Sequence, residues 1–145
     1  TLKLMLVPSP GMLDLSTFMN ATSTLSSKVL VIGINPSVKA GKSKTLARLH
    51  YWMKEIGADI FSFTNIIHSP GMYKKSDIDY NWIQEACHGY DRVIALGGFV
   101  SSALARINIS HHILPHPSPL NRNLNSKDYE REQIESARNY IYGTN

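Results

Sequence analysis

The chain holds one cysteine, Cys87, among 145 residues. A single thiol excludes an intrachain disulfide and any cysteine-based metal or iron–sulfur site. Cys87 lies in a helical-looking stretch, where a small buried apolar residue is its expected role. Long apolar runs are also missing. The segment Leu2–Val7 is short and is broken by Pro8 and Pro10, so neither a membrane span nor a signal peptide is expected. Charge is modest: 11 acidic residues face 15 basic ones, for a net +4. That balance permits an anionic partner such as nucleic acid without demanding one. Carboxylates at metal-ligand spacing are absent around His111, His112 and His116, so no metal and no other cofactor is expected. A soluble cytoplasmic monomer without membrane contact is the resulting expectation.

What is present is enough apolar residue, 43%, to bury a core in one domain spanning 1–145. Met12–Met19 reads as a short helix. From Lys28 the pattern becomes regular. Val29-Leu30-Val31-Ile32-Gly33-Ile34 is a continuous, β-branched run, as in a strand buried on both faces. Ser43 or Thr45 is placed to cap a helix with Leu46, Leu49, Met53 and Ile56 on one side, stopped by Gly57. A second strand covers residues 60–66. A loop with Ser69-Pro70-Gly71 follows, then a helix capped by Ser76 or Asp77 and running to about Cys87. Arg92–Leu96 is the third strand and is stopped by Gly97-Gly98. A helix through Val100 and Leu104 leads to a fourth strand, His111–Leu114. A final helix runs from about Ser126 to Tyr142.

Strands alternating with helices predict an α/β fold: three layers, α/β/α, around a mostly parallel sheet of about four strands. Ligands bind such sheets beyond the carboxyl ends of the strands. Those ends carry Asn35-Pro36-Ser37, Asn65, Gly97-Gly98 and His116-Pro117-Ser118-Pro119. Lys39–Thr45 lacks phosphate-loop spacing and reads as a basic loop able to touch a nucleic-acid backbone.

In that order, these segments resemble the uracil-DNA glycosylase superfamily, over roughly residues 28 to 125. Gly33-Ile34-Asn35-Pro36-Ser37 resembles the first catalytic motif, closer to the G-I-N-P-G of the mismatch-specific branch than to the G-Q-D-P-Y of the uracil-specific branch. His116-Pro117-Ser118-Pro119-Leu120 matches the second motif of the uracil-specific branch, H-P-S-P-L. Phe63-Thr64-Asn65 resembles the strand end that supplies the base-reading asparagine. Small relatives often carried by phages look similar.

The resemblance implies hydrolysis of the N-glycosidic bond of uracil or a C5-modified pyrimidine after base flipping, by a monofunctional DNA glycosylase. The partner would be single- or double-stranded DNA. Asn35 would position the water and His116 would donate to O2 of the departing base. Gly33, Ile34, Pro36, Ser37 and Asn65 would form the base pocket, in which Ser37 leaves room for a C5 substituent. Gly98, Ser101, Ser118, Leu120 and Arg122 would face DNA, with Leu120 as the wedge. The stacking aromatic is open among Tyr51, Phe63, Phe99 and Tyr73. Two other functions stay open: a non-catalytic nucleic-acid or nucleotide-binding module of the same fold, and a hydrolase of free modified nucleosides or nucleotides.

Overall fold

The computed structural model describes residues 28–36 and 44–143. The predicted helix at Met12–Met19, and Ser37–Ser43, lie outside the described residues. In chain order the elements are β1 (Val29–Gly33), α1 (Lys44–Ile56), β2 (Ser62–Asn65), a 3-10 turn (Lys75–Asp77), α2 (Tyr80–Ala86), β3 (Arg92–Leu96), α3 (Gly98–Arg106), β4 (His112–Leu114), a second 3-10 turn (Arg122–Asn125) and α4 (Lys127–Tyr142).

The four strands form one sheet in the order β2-β1-β3-β4, and every pairing is parallel. β1 is central. All five of its residues are buried, which explains why its sequence does not alternate. Val29 and Val31 pack into one core with Leu49, Trp52 and Met53 of α1 and Ile134, Ala137 and Ile141 of α4. Leu30 and Ile32 face the other way, into a second core with Ile83 of α2 and Val100 and Leu104 of α3. The sheet is therefore covered on both faces, as the α/β pattern predicts. Among the described residues, no helix is long and apolar enough to cross a membrane.

Local chemistry moves several boundaries. The helix expected from Ser76 or Asp77 starts later, at Tyr80, because Asp79 caps it by accepting from the Trp82 amide. Asp77 is spent on the preceding turn, where its carboxylate accepts from the Lys74 amide at 2.8 Å. On α1, Thr45 lies inside the helix rather than before it. Leu46 is 42% exposed, whereas Trp52 is 1% exposed and takes the core position. The large indole fills the space between the sheet and α4, and its Nε1 donates to Glu130 on α4 at 2.6 Å. Cys87 is half-buried just beyond α2, and burial pushes its thiol up to about 11.

The strand order creates a switch point. After β1 the chain leaves toward β2 through α1 on one face. After β3 it leaves toward β4 through α3 on the other face. Between the carboxyl ends of β1 and β3 the two connections diverge, and it is at such a switch point that open α/β sheets form their ligand crevice.

Candidate functional site

The residues singled out in the sequence at Gly33–Pro36, Asn65, Gly97-Gly98 and His116–Leu120 all follow strand ends on this edge of the sheet. Gly33 closes β1 opposite Asn65, its register partner at the end of β2. A β-carbon on Gly33 would lie 2.9 Å from Asn65 Oδ1 and 3.0 Å from Phe63 Cζ. Only glycine lets the amide and the ring come this close to the β1 backbone. Pairing continues past the strands: Ile66 N donates to Gly33 O, and Ile67 N donates to Ile34 O. Ile34 turns toward the α2/α3 core, so its contribution to the crevice is its backbone. Pro36 is half-buried. Ser37 lies outside the described residues.

Asn35 has a defined orientation. Its Nδ2 donates to Ser69 O at 3.1 Å and to Gly71 O at 2.8 Å. Two carbonyls can be satisfied only by an NH2 group, so the amide cannot be flipped. The side chain therefore clamps the β2–α2 loop and turns its one acceptor, Oδ1, away from it. Asn65 differs: its side-chain amide makes no hydrogen bond among the described residues, and the residue is half-buried. Its donor and its acceptor thus have no partner among the described residues.

On the β3 side, Gly97 adopts φ 91° as the N-cap of α3, a backbone state that side chains with a β-carbon rarely adopt. Its N–H donates to Leu114 O at 2.7 Å, tying the end of β3 to the end of β4. His116 follows two residues later, and its β-carbon lies 3.6 Å from where a side chain on Gly97 would begin. The imidazole has no hydrogen-bond partner among the described residues. Burial holds its pKa below the ordinary histidine value of 6.5, so it is neutral at pH 7 and carries one N–H donor.

The loop after His116 is braced by Asn121, a residue the motif comparison missed. Asn121 Nδ2 donates to His116 O at 3.2 Å, and Asn121 N donates to Ser118 O at 3.0 Å. Ser118 Oγ accepts from Leu120 N at 3.1 Å. The hydroxyl thus shapes the turn, and the turn projects Leu120, which is 88% exposed. Arg122 is exposed at the start of the second 3-10 turn. Gly98 is exposed at the first position of α3.

Ser101 has a side-chain partner within the protein. Its amide donates to Gly97 O within the helix, and its Oγ lies 2.7 Å from His111 Nε2. His111 Nδ1 is 2.7 Å from Ile109 O. A carbonyl can only accept, so Nδ1 carries a proton, and in the neutral tautomer Nε2 accepts from the Ser101 hydroxyl. That hydroxyl is engaged by a histidine at the start of β4.

The four aromatic candidates separate. Phe63 lies against Gly33 beside Asn65. Tyr73 and Phe99 pair with each other at 5.2 Å between ring centres. Tyr51 is 53% exposed on α1 and lines a groove of about 360 Å³ between α1 and α4. That groove mixes Glu55, Glu130 and Glu135 with Lys127, Arg131 and Arg138. Its charges balance, so it does not favour an anionic strand.

Comparison with protein-family models and with curated proteins found no match.

Proposed function

We propose that the crevice binds a flipped pyrimidine and that the protein is a monofunctional DNA glycosylase acting on uracil or a C5-modified pyrimidine. The observation that carries this reading is the pair of half-buried polar side chains on one sheet edge that have no side-chain hydrogen bond among the described residues. Asn65 supplies an amide edge, and His116 supplies a neutral imidazole donor.

Each group suits one step. Asn65 offers an acceptor for N3–H and a donor for O4 of uracil, and cytosine presents the opposite pattern. Phe63, against Gly33, gives the base a flat neighbour. As the glycosidic bond breaks, negative charge grows on the base. An N–H donor at His116 stabilises that charge. The oriented Oδ1 of Asn35 can accept from a water and hold it toward the sugar carbon. An amide does not take the water's proton at neutral pH, so slow turnover is expected. Leu120, held out by the Ser118–Asn121 turn, would fill the gap left in the stack.

The test uses single-stranded and duplex oligonucleotides carrying one uracil or one 5-hydroxymethyluracil. After incubation, heating in alkali converts an abasic site into a strand break. Cleavage that His116→Ala lowers by about 10²–10³-fold supports the reading. Absence of cleavage on every substrate by the wild-type protein would overturn the catalytic assignment.

A further inference from the structure

The loop after β2 carries a feature that the base pocket does not use. Met72 is 99% exposed, the most exposed of the large apolar side chains described. It stands between two anchored neighbours. Gly71 is tied through its carbonyl to Asn35 at 2.8 Å, and Tyr73 packs on Phe99 of α3. Beyond them, Lys74 N and Asp77 Oδ2 close the 3-10 turn. The loop thus runs from the end of β2, past the end of β1, to α3, across the edge where the crevice opens. Core packing does not explain a fully exposed methionine at a fixed position.

Its surroundings point to one class of partner. Lys74 and Lys75 follow, both exposed, with no ion-pair partner among the described residues. Leu120, on the loop after β4, repeats the pattern: an exposed apolar tip with a cation, Arg122, two residues later. The two tips leave the sheet from its two outer strands on the edge that holds the β1/β3 crevice. Unpaired bases offer flat apolar faces, and the phosphates between them offer negative charge.

Resting on the nucleic-acid reading above, we infer that Met72, with Lys74 and Lys75, forms a second contact prong that stacks on an unpaired base of the DNA strand held in the crevice and grips its phosphates. Met72 supplies the apolar face, with a soft thioether able to follow an irregular stack. The lysines supply salt-sensitive attraction. Asn35 and Phe99 fix the prong relative to the pocket.

The experiment measures binding of uracil-free oligothymidylate by fluorescence anisotropy across a salt series. It compares wild type, Met72→Ala, Met72→Leu, Lys74→Ala/Lys75→Ala, and Lys54→Ala as a control in the last turn of α1. Met72→Ala is expected to weaken binding about five-fold or more with the salt slope unchanged, and Met72→Leu to retain most of it. The double lysine variant is expected to flatten the slope of log affinity against log salt by about 1.4, for two phosphates lost on a single strand. Lys54→Ala is expected to leave both unchanged. All altered positions are exposed, and matching thermal midpoints would confirm folding. If wild type binds and Met72→Ala binds equally well, or the double variant behaves like the control, the prong is overturned while the crevice reading stands. If wild type binds no oligonucleotide even at low salt, the nucleic-acid reading falls and the prong with it.

Discussion

Asn65 Oδ1 occupies the space directly over Gly33, 2.9 Å from where a β-carbon would be. The two residues are register partners at the ends of β2 and β1, so neither backbone can move aside without breaking the sheet. Gly33→Ala should displace the Asn65 amide and the Phe63 ring. A stability loss of about 1–3 kcal/mol is expected from overpacking. Discrimination between uracil and cytosine should fall further than stability does. Urea denaturation beside competition binding with the free bases checks this; retained discrimination would show that the Asn65 amide does not read the base.

Asn35→Asp should weaken the protein, even though Asp stands at this place in the G-Q-D-P-Y motif that Gly33–Ser37 resembles. A carboxylate cannot donate to the carbonyls of Ser69 and Gly71 that the amide now serves. Leaving such groups unmatched costs about 1–3 kcal/mol. Hydrogen exchange should accelerate across residues 68–75 and stay unchanged in β1 and β3. Uniform protection in the variant would show that the clamp does not hold this loop.

Trp52→Phe should separate the roles of the indole. The ring stays in the core, but the N–H that reaches Glu130 at 2.6 Å is lost. A loss of about 1–3 kcal/mol is expected. Glu130→Gln keeps an acceptor oxygen and should cost less. Equal losses for the two variants in urea would contradict this ordering.

Stability should fall on the acid side of neutrality. Burial holds the pKa of His116 and of His112 below the ordinary value of 6.5, with His111 adding to the effect at His112. Both are neutral when folded, so the unfolded chain binds more protons as pH drops below about 6.5. Their contribution is complete above that value and is lost as pH falls through the depressed folded pKa values. His112 Nε2 is buried without a hydrogen-bond partner among the described residues, and the ring stacks on Tyr140 at 5.1 Å. Denaturation midpoints from pH 7.5 to 4.5 should therefore decline less for His112→Gln/His116→Gln than for wild type. Parallel curves would rule these two rings out as the cause.

The sheet was legible because β1 and β3 are continuous apolar runs bounded by Lys28, Gly97 and Asn35, and burial on both faces leaves that mark. The start of α2 was less legible, since Ser76, Asp77 and Asp79 are all competent caps and only the folded loop decides among them. Leu46 and Trp52 lie about 120° apart on α1, on opposite flanks of the face that Leu49, Met53 and Ile56 share. Which of them is buried depends on the position of α4, which helical periodicity does not encode. At the site, Asn35, Asn65 and His116 stood out because polar residues at successive strand ends are unusual together. The clamp made by Asn35 left no trace, because its partners are backbone carbonyls, and every residue has one. The contact of Ser101 was hidden for a related reason. A serine near the start of a helix resembles a phosphate contact, and its partner, His111, becomes visible only once β4 lies beside α3.

β1 is the first of the described strands in chain order, yet it sits between β2 and β3. Its lateral hydrogen-bonding groups therefore wait for two later segments, the second of them β3. Until β3 has left the ribosome, Val29–Gly33 is an apolar strand with a bare side. Non-local pairings of this kind slow folding. A nascent chain stalled or cut between α2 and β3 would expose that strand as a template for self-association. Soluble fragments of this protein should accordingly be those that end beyond Leu96, not before it.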